Sequence, residues 1–345
     1  TNTAYFTSTE VSPLERHLYR IDLKGKNKKQ LSSGSGTHNV NMSPDYSYYL
    51  NYFSKVGTPV VVSLHSLPDG KQIKVLQDNA KLRETLANYD LGKQEFISIK
   101  TPDGTTLNGW MIKPANFDPN KKYPVLMHVY GGPGSQTVTN SWGGGNYMWH
   151  QLLAQKGYII VSVDNRGTGA RGADFKKVTY ANLGKYETED QIAAAKWLAN
   201  QSYVDKNRIG IWGWSFGGYM TLLGLTKGND VFKAGIAVAP VTNWRYYDTI
   251  YTERFLKKPQ DNAAGYDDNS PVQFADQLKG SLLLIHGTGD DNVHFQNSIA
   301  MQDALIAANK PFDSFFYPNR NHSIYGGKTR LHLYTKMTDF VLKNL

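Results

Sequence analysis

The sequence predicts an α/β protein in which a doubly wound, mostly parallel sheet follows a shorter all-β portion. Up to about residue 80 the chain consists of short strand and turn segments, whereas farther on apolar strand-like runs alternate with helix-like runs. With 40% hydrophobic and 19% charged residues, the chain can bury a substantial core. Its length of 345 residues favours two domains. We place them at residues 1–80 and 81–345, with a polar linker at about residues 78–94.

The all-β portion contains an internal repeat. Its strand-like segments are AYFTSTE (4–10), RHLYRIDL (16–23), YSYYLNYFS (46–54) and PVVVSLHSL (59–67). LYRIDLKGKNKKQL from Leu18 aligns with VVSLHSLPDGKQIKVL from Val61, a spacing of 43 residues that is typical of four-stranded propeller blades. Fewer than two units are visible and a propeller normally has four or more, so the alternative is a small β-meander. We favour the C-terminal portion of a larger propeller.

Residues 81–345 read as alternating strands and helices. The strand-like runs are EFISIK (95–100), LNGWMIKP (107–114), VLMHVY (125–130), YIIVSVD (158–164), RIGIWG (208–213), AGIAVAP (234–240), LLLIHG (282–287) and DSFFYP (313–318). The helix-like runs include residues 189–201, 297–308 and 331–345. Near-continuous apolar strands are typical of a parallel sheet that is buried on both faces. In such a sheet, we expect functional residues at the carboxyl ends of the strands.

Composition narrows the classes of function. The formal net charge is +9, but Lys and Arg are dispersed, which indicates a solvated surface rather than nucleic-acid binding. The absence of cysteine excludes disulfides, thiolate metal sites and a cysteine nucleophile. No apolar run is long enough to span a membrane. Because the chain starts at Thr1 without a charged and then apolar leader, we expect a processed, truncated or incompletely given N-terminus.

Ser215 is the candidate nucleophile. It lies in GWSFG, residues 213–217, between an apolar strand and a helix-like run, which is the setting of a nucleophile elbow in an α/β-hydrolase fold. This turn forces the serine into a sparsely allowed conformation, and side chains at Gly213 and Gly217 would collide across it. The alternative is a glycine-rich turn without a catalytic role.

The serine requires a base and an acid, which follow it in the order acid, then histidine, in this fold. Of the downstream histidines, His322 lies in a polar loop after the last strand, where the base belongs. His286 ends a strand and reads as a buried, hydrogen-bonded residue, and His332 falls within the last helix. Asp290 and Asp291 are equal candidates for the acid, unless they only cap the following helix.

A tetrahedral intermediate also needs hydrogen-bond donors for its oxyanion. The backbone N–H of Phe216 follows from the elbow geometry. The second donor should come from HVYGGPGS, residues 128–135, where the hydroxyl of Tyr130 is a candidate and a plain strand-end aromatic is the alternative.

Four separated motifs resemble the prolyl oligopeptidase family of serine peptidases, and within it the dipeptidyl peptidase IV branch. They are GWSFGGYM (213–220), IAVAPVTNWRYYDTIYTERF (236–255), LLIHGTGDDNVHF (283–295) and NHSIYGG (321–327). The resemblance covers nearly the whole chain and implies an N-terminal β-propeller before an α/β-hydrolase domain. It also implies a homodimer, a location outside the cytoplasm and no metal or organic cofactor.

The resemblance implies roles for individual residues. Ser215 is then the nucleophile, Asp290 rather than Asp291 the acid and His322 the base, with Tyr130 and the Phe216 amide at the oxyanion. Asn292 matches the residue that binds the carbonyl of the second substrate residue. The pocket for a proline ring corresponds to Phe216, Val241, Trp244, Tyr247, Tyr251 and Val293. Aromatic walls suit the apolar pyrrolidine ring, although residues 244–251 taken alone read as an aromatic helix face in a core.

The sequence departs from the family pattern at two points. Phe216 stands where the mammalian branch has tyrosine, which should leave the pocket apolar and functional. The family binds the substrate amine with a pair of consecutive glutamates in the propeller, and no such pair occurs in these residues.

The expected function is a serine exopeptidase that releases N-terminal dipeptides with proline, or less well alanine, at the second position. The alternatives are a prolyl tripeptidyl peptidase, an acylaminoacyl peptidase or a non-catalytic binding protein on the same fold.

Overall fold

The computed structural model describes residues 2–345, which form two compact units. The first comprises residues 2–94 and Val138–Gln151, and the second comprises Glu95–Thr137 and Leu152–Leu345. The strands are β1 Thr3–Ser8, β2 His17–Asp22, β3 Lys29–Gln30, β4 Thr37–Met42, β5 Tyr48–Lys55, β6 Thr58–Ser66, β7 Gln72–Gln77, β8 Gln94–Lys100, β9 Thr106–Ile112, β10 Tyr123–Val129, β11 Ile159–Asp164, β12 Val204–Trp214, β13 Ala234–Val238, β14 Ser281–Gly287 and β15 Asp313–Tyr317.

The helices are α1 Ala80–Leu86, α2 Tyr147–Gln155, α3 Gly172–Lys177, α4 Lys185–Ala199, α5 Phe216–Lys227, α6 Thr249–Leu256, α7 Ala263–Asp267, α8 Gln296–Ala307 and α9 Thr329–Asn344. Short 3-10 helices cover Trp244–Tyr246 and Pro271–Gln277. The helix-like runs of the sequence correspond to α4, α8 and α9. No helix within residues 2–345 combines the length and apolar character needed to cross a bilayer.

The first unit contains two antiparallel sheets, one with the order β1-β2-β3 and one with the order β4-β5-β6-β7. The two copies of the sequence repeat fall on the corresponding pairs β2–β3 and β6–β7, so the repeat reflects a recurring hairpin. Leu18, Leu31 and Tyr49 form a small core. These sheets are consistent with propeller blade segments.

The residues 138–151 group with the first unit, which the sequence did not predict. Asn140 is the main contact: its Nδ2 donates to Oε1 of Glu15 at 2.8 Å, and its backbone carbonyl accepts from the Thr37 hydroxyl at 2.9 Å. The side-chain amide of Gln151 exchanges two hydrogen bonds with the backbone of Gly92, at 2.7 and 3.0 Å. These contacts join residues far apart in the sequence, and no local pattern encodes them.

The second unit is built on an eight-stranded sheet with the order β15-β14-β13-β12-β10-β11-β9-β8. Neighbours from β15 to β11 run parallel, whereas β9 pairs antiparallel with β11. The predicted α/β-hydrolase sheet is therefore confirmed, with an antiparallel edge. Its central strands are buried on both faces, as their apolar runs predict. Because β10, β12, β14 and β15 are parallel, the segments after their carboxyl ends meet at one edge of the sheet.

Candidate active site

Ser215 occupies the turn between β12 and α5. Its backbone has φ 60° and ψ −119°, a sparsely populated conformation for a residue with a side chain. Its N–H donates to the Val238 carbonyl of the neighbouring strand at 2.8 Å, and its carbonyl accepts from Tyr219 of α5 at 3.0 Å. The turn is thus fixed on both sides, and Ser215 itself stays partly exposed.

Glycines allow the strand and helix to approach at this turn. A Cβ atom on Gly217 would collide with the carbonyl oxygen of Val129, and one on Gly213 would collide with the backbone of Gly217. A Cβ on Gly218 would lie 2.8 Å from the Val238 carbonyl oxygen. The steric reason that the sequence suggested for these glycines is confirmed.

Asp290 and His322 lie in contact, although 32 residues separate them. Oδ2 of Asp290 is 2.7 Å from Nδ1 of His322. Asp290 is 6% exposed, in the loop after β14, whereas Asp291 is exposed to solvent. The structure therefore places Asp290, and not its neighbour, against His322.

The loop that carries His322 is held by a tryptophan beside the candidate nucleophile. Nε1 of Trp214 donates to the backbone carbonyl of His322 at 2.9 Å. The guanidinium of Arg330 lies 4.9 Å from the centre of the Trp214 ring, within the range of a cation–π contact. Since Trp214 precedes Ser215, this hydrogen bond ties the histidine loop to the elbow.

A second histidine, His286, also contacts Asp290, which the sequence analysis did not foresee. Its Nε2 lies 3.1 Å from Oδ2 of Asp290 and 2.8 Å from the Val293 carbonyl oxygen, and its Nδ1 lies 2.7 Å from Oγ of Ser298. The ring is fully buried, as predicted. The signal available in the sequence was its position four residues before Asp290, at the carboxyl end of a strand.

Burial by itself raises the pKa of Asp290, but hydrogen bonds from His286, His322 and the backbone outweigh it and hold the pKa well below its usual range. The carboxyl group is therefore ionised at neutral pH. An ionised carboxylate at Oδ2 requires that Nδ1 of His322 carry a hydrogen, which leaves Nε2 of a neutral His322 free to accept a proton.

Tyr130 and the backbone N–H of Phe216 flank the elbow. Tyr130 follows β10, and its ring centre lies 6.1 Å from that of Phe216. Burial raises the pKa of the Tyr130 hydroxyl, so the group is a hydrogen-bond donor at neutral pH. Phe216 is the first residue of α5, where backbone N–H groups have no acceptor within the helix. Both groups are suited to bind a developing negative charge.

The residues assigned to the proline pocket come together as an aromatic cluster. Trp244 is its centre: its ring lies 5.6 Å from Phe216, 5.9 Å from Tyr247 and 5.9 Å from Tyr251, measured between ring centres. Phe216, Trp244, Val241 and Val293 are nearly completely buried, whereas Tyr247 and Tyr251 are partly exposed. The two tyrosines thus present the accessible surface of the cluster.

The segment with the sequence WRYYDTIY is not one helix face. Trp244–Tyr246 form a 3-10 turn, Tyr247 is extended, and α6 begins only at Thr249. The side chain of Asp248 caps α6 by accepting from the N–H of Tyr251 at 2.8 Å. Across this cap, Tyr247 and Tyr251 contact each other edge to face, with 5.3 Å between ring centres.

Asn292 lies beside this cluster in the loop after β14. Its Oδ1 accepts a hydrogen bond from the hydroxyl of Tyr247 at 2.7 Å. With the oxygen of the amide engaged in this way, its N–H₂ group is the part left to bind a carbonyl oxygen. Asn292 is exposed, so a ligand can reach it.

A serine at a strained strand-to-helix turn, on an α/β sheet whose other loops bring an Asp–His pair to the same edge, defines the class of α/β-hydrolase proteins. The sequence model described as the prolyl oligopeptidase family matches residues 146–345, and that described as the dipeptidyl peptidase IV N-terminal region matches residues 1–60. The chain belongs to the prolyl oligopeptidase family.

Individual relatives agree with this membership. A probable dipeptidyl-aminopeptidase B of Pyrenophora teres f. teres is 42% identical over 97% of this chain and 37% of its own length, and one of Neosartorya fischeri is 41% identical over 98% and 37%. The crystal structure of Porphyromonas gingivalis dipeptidyl peptidase 4 matches with a TM-score of 0.96 and 49% identity, over 99% of this chain and 48% of that one. A putative dipeptidyl aminopeptidase IV from Bacteroides ovatus matches with a TM-score of 0.84 and 30% identity, over 100% and 57%. The chain thus spans little more than a third of the length of the two probable dipeptidyl-aminopeptidases B and about half that of the two crystal structures.

Proposed function

We propose that this chain carries the catalytic portion of a serine exopeptidase that releases N-terminal dipeptides with proline, or less well alanine, at the second position. Ser215 is the nucleophile, His322 the base and Asp290 the acid. The 2.7 Å contact between His322 and Asp290, at the sheet edge that carries the strained Ser215, is the observation that carries the proposal. The names of the relatives support the dipeptidyl part.

In the proposed reaction, Nε2 of His322 takes the proton of the Ser215 hydroxyl as its oxygen attacks the scissile carbonyl. Asp290 keeps the required tautomer of His322 and stabilises the imidazolium that forms. The Tyr130 hydroxyl and the Phe216 N–H donate to the oxyanion of the tetrahedral intermediate. His322 then protonates the leaving amine, and water releases the dipeptide from the acyl-enzyme by the reverse use of the same groups.

The aromatic cluster supports the preference for proline. A pyrrolidine ring is rigid, apolar and without an N–H at its own nitrogen, so it brings no unsatisfied donor into a pocket of Tyr247, Tyr251 and the valines. The smaller alanine side chain fills this pocket less well, which is why alanine is the poorer substrate. Asn292 binds the carbonyl of the same substrate residue.

Peptide substrates with a free N-terminus follow from this proposal, but the group that binds the amine is not assigned to any residue of the chain. A homodimer and a location outside the cytoplasm stay predictions that rest on the family resemblance.

The test compares glycyl-prolyl-p-nitroanilide with its N-acetylated form, using this chain, the variant Ser215→Ala and the control Ser202→Ala, which alters an exposed serine. We expect hydrolysis of the free-amine substrate only, its loss in Ser215→Ala and its retention in the control. Equal hydrolysis of both substrates would contradict the exopeptidase activity, but it would not contradict the serine mechanism. Undiminished hydrolysis by Ser215→Ala would show that Ser215 is not the nucleophile.

A further inference from the structure

We propose that His286 is a positioning residue for the Asp–His pair: its Nε2–H holds Oδ2 of Asp290 in the orientation that His322 requires. This inference rests on the proposed serine mechanism, and it assigns a function to a buried histidine that never contacts substrate.

The hydrogen-bond partners of His286 determine which nitrogen carries the proton. Nε2 faces two acceptors, the Asp290 carboxylate at 3.1 Å and the Val293 carbonyl oxygen at 2.8 Å, so it must be the protonated nitrogen. Nδ1 lies 2.7 Å from the hydroxyl of Ser298 on α8, which can donate to it. A neutral ring with its hydrogen on Nε2 therefore satisfies every contact.

The carboxylate of Asp290 is held on both oxygens. Oδ1 accepts from the backbone N–H groups of Asn292 and Val293, at 2.9 and 3.0 Å. Oδ2 accepts from His322 and His286. Because each oxygen has two donors, rotation of the carboxyl group would break hydrogen bonds at a buried site, and such a loss is costly. His286 thus supplies one of four restraints on the group that orients His322.

The second donor on Oδ2 also changes the charge that His322 experiences. Two N–H groups share the negative charge of one oxygen, so the hydrogen bond that His322 donates is weaker than it would be if Oδ2 had a single donor. Tyr247 is another titratable group near Asp290, and its hydroxyl is neutral at neutral pH because burial raises its pKa. Removing the N–H of His286 should therefore strengthen the hydrogen bond from Nδ1 of His322 and loosen the orientation of Asp290.

The test uses His286→Leu, which removes the donor at similar volume, and His286→Gln, which retains an N–H donor. Ser298→Ala is a milder variant that keeps the ring but removes the hydroxyl that contacts Nδ1. His332→Leu, which alters an exposed histidine of α9, is the matched control. Two quantities are measured: the rate of Ser215 phosphonylation by a fluorophosphonate from pH 5 to 9, and the NMR resonance of the hydrogen on Nδ1 of His322 in histidine-labelled protein.

We expect His286→Leu to slow phosphonylation about tenfold or more and to move the Nδ1–H resonance of His322 downfield, because its hydrogen bond to Oδ2 becomes stronger. His286→Gln should recover most of the rate, Ser298→Ala should lose about threefold, and the control should match the parent chain. For a dipeptide substrate the loss should appear in kcat. If His286 only held Val293 in place in the pocket, His286→Leu would raise KM instead.

An unchanged rate and an unchanged Nδ1–H resonance of His322 in folded His286→Leu would overturn the proposal. So would equal losses in the Leu and Gln variants. If His286→Leu does not fold, the contrast between the Gln and Ala variants decides the question by the same two measurements. The NMR measurement requires no turnover, so failure of peptide cleavage in the parent chain would overturn the proposed function alone.

Discussion

The hydroxyl of Tyr247 donates to the side-chain carbonyl oxygen of Asn292 across 2.7 Å, which joins the aromatic cluster to the loop that follows β14. One side chain thereby lines the candidate pocket and also orients the amide that is to bind the peptide carbonyl. The consequence is that the size of the pocket and the placement of the substrate backbone depend on one another.

Tyr247→Phe should weaken substrate binding more than it slows the chemical step. The amide of Asn292 loses its partner and rotates freely, while the apolar wall of the pocket remains. We expect KM for a glycyl-prolyl substrate to rise about fivefold to tenfold, equivalent to about 1 kcal/mol, with a smaller change in kcat. Steady-state kinetics beside Tyr246→Phe, which removes the hydroxyl one position earlier, provides the check. A change confined to kcat would contradict this role.

Asp290→Asn should lower kcat by about four orders of magnitude, as loss of the ionised acid does in other serine triads. The Asp290 carboxylate is the acceptor in all four of its hydrogen bonds, two at each oxygen, whereas an amide has only one oxygen. Either orientation of the amide therefore directs an N–H₂ group at two other donors. Asp291→Asn, which alters the exposed neighbour, is the control and should remain close to the parent chain. Comparable losses of kcat in Asp290→Asn and Asp291→Asn would contradict the assignment of Asp290 alone as the acid.

Gly217→Ala should destabilise the second unit and abolish hydrolysis. The added Cβ would meet the carbonyl oxygen of Val129, a backbone atom that cannot move without shifting β10. Overpacking of this kind costs about 1–3 kcal/mol. The matched control is Gly145→Ala, because a Cβ there meets no atom within 4 Å and its φ is ordinary. Urea unfolding of both variants measures the difference, and equal stability would refute the steric role.

Glu187 should make the stability of the chain depend on pH. It is fully buried in α4, and burial raises its pKa from 4.5 to about 8. Between these values the folded chain retains a proton that the unfolded chain releases. Its contribution to stability is therefore complete below pH 4.5 and is lost as the pH rises towards 8, by about 1 kcal/mol for each unit.

The measurement for Glu187 is the free energy of unfolding in urea at pH 5, 6, 7 and 8. Glu187→Gln should have a flatter profile, since its amide oxygen can still accept from the Gly184 N–H that Glu187 binds at 2.9 Å. Glu189→Gln changes an exposed carboxylate of the same helix and should leave the slope unaltered. A steep profile in Glu187→Gln would assign the pH dependence to another group.

The sequence predicted most of the second unit because the patterns that identify its strands and its elbow lie within short, continuous segments. Apolar runs identified β8 to β15, and the motif around Ser215 identified the elbow from the spacing of its glycines. The choice between Asp290 and Asp291 was different: adjacent carboxylates have the same local pattern, and only the family resemblance favoured one. Burial of Asp290 against two histidines is a property of the folded loop.

What the sequence did not predict depends on contacts between distant residues or on weak patterns. α1 lies in the segment that was assigned as a linker, and it has no buried residue that would give it an apolar period. β4 has the polar sequence THNVNM, which lacks the composition of a typical strand. The contact of His286 with Asp290 was also missed, because a buried histidine at a strand end ordinarily needs no catalytic explanation.

Asn140 bears on how this protein can be divided and produced. Its amide reaches Glu15, and its carbonyl reaches Thr37, so the first unit is completed by residues that are synthesised after the second unit has begun. A fragment cut after Gln94 would lack these partners and leave the buried Glu15 carboxylate short of a donor. During synthesis, the first unit therefore cannot finish folding until residues 138–151 have been made, and permuted or truncated versions must keep these residues with the β-sheets.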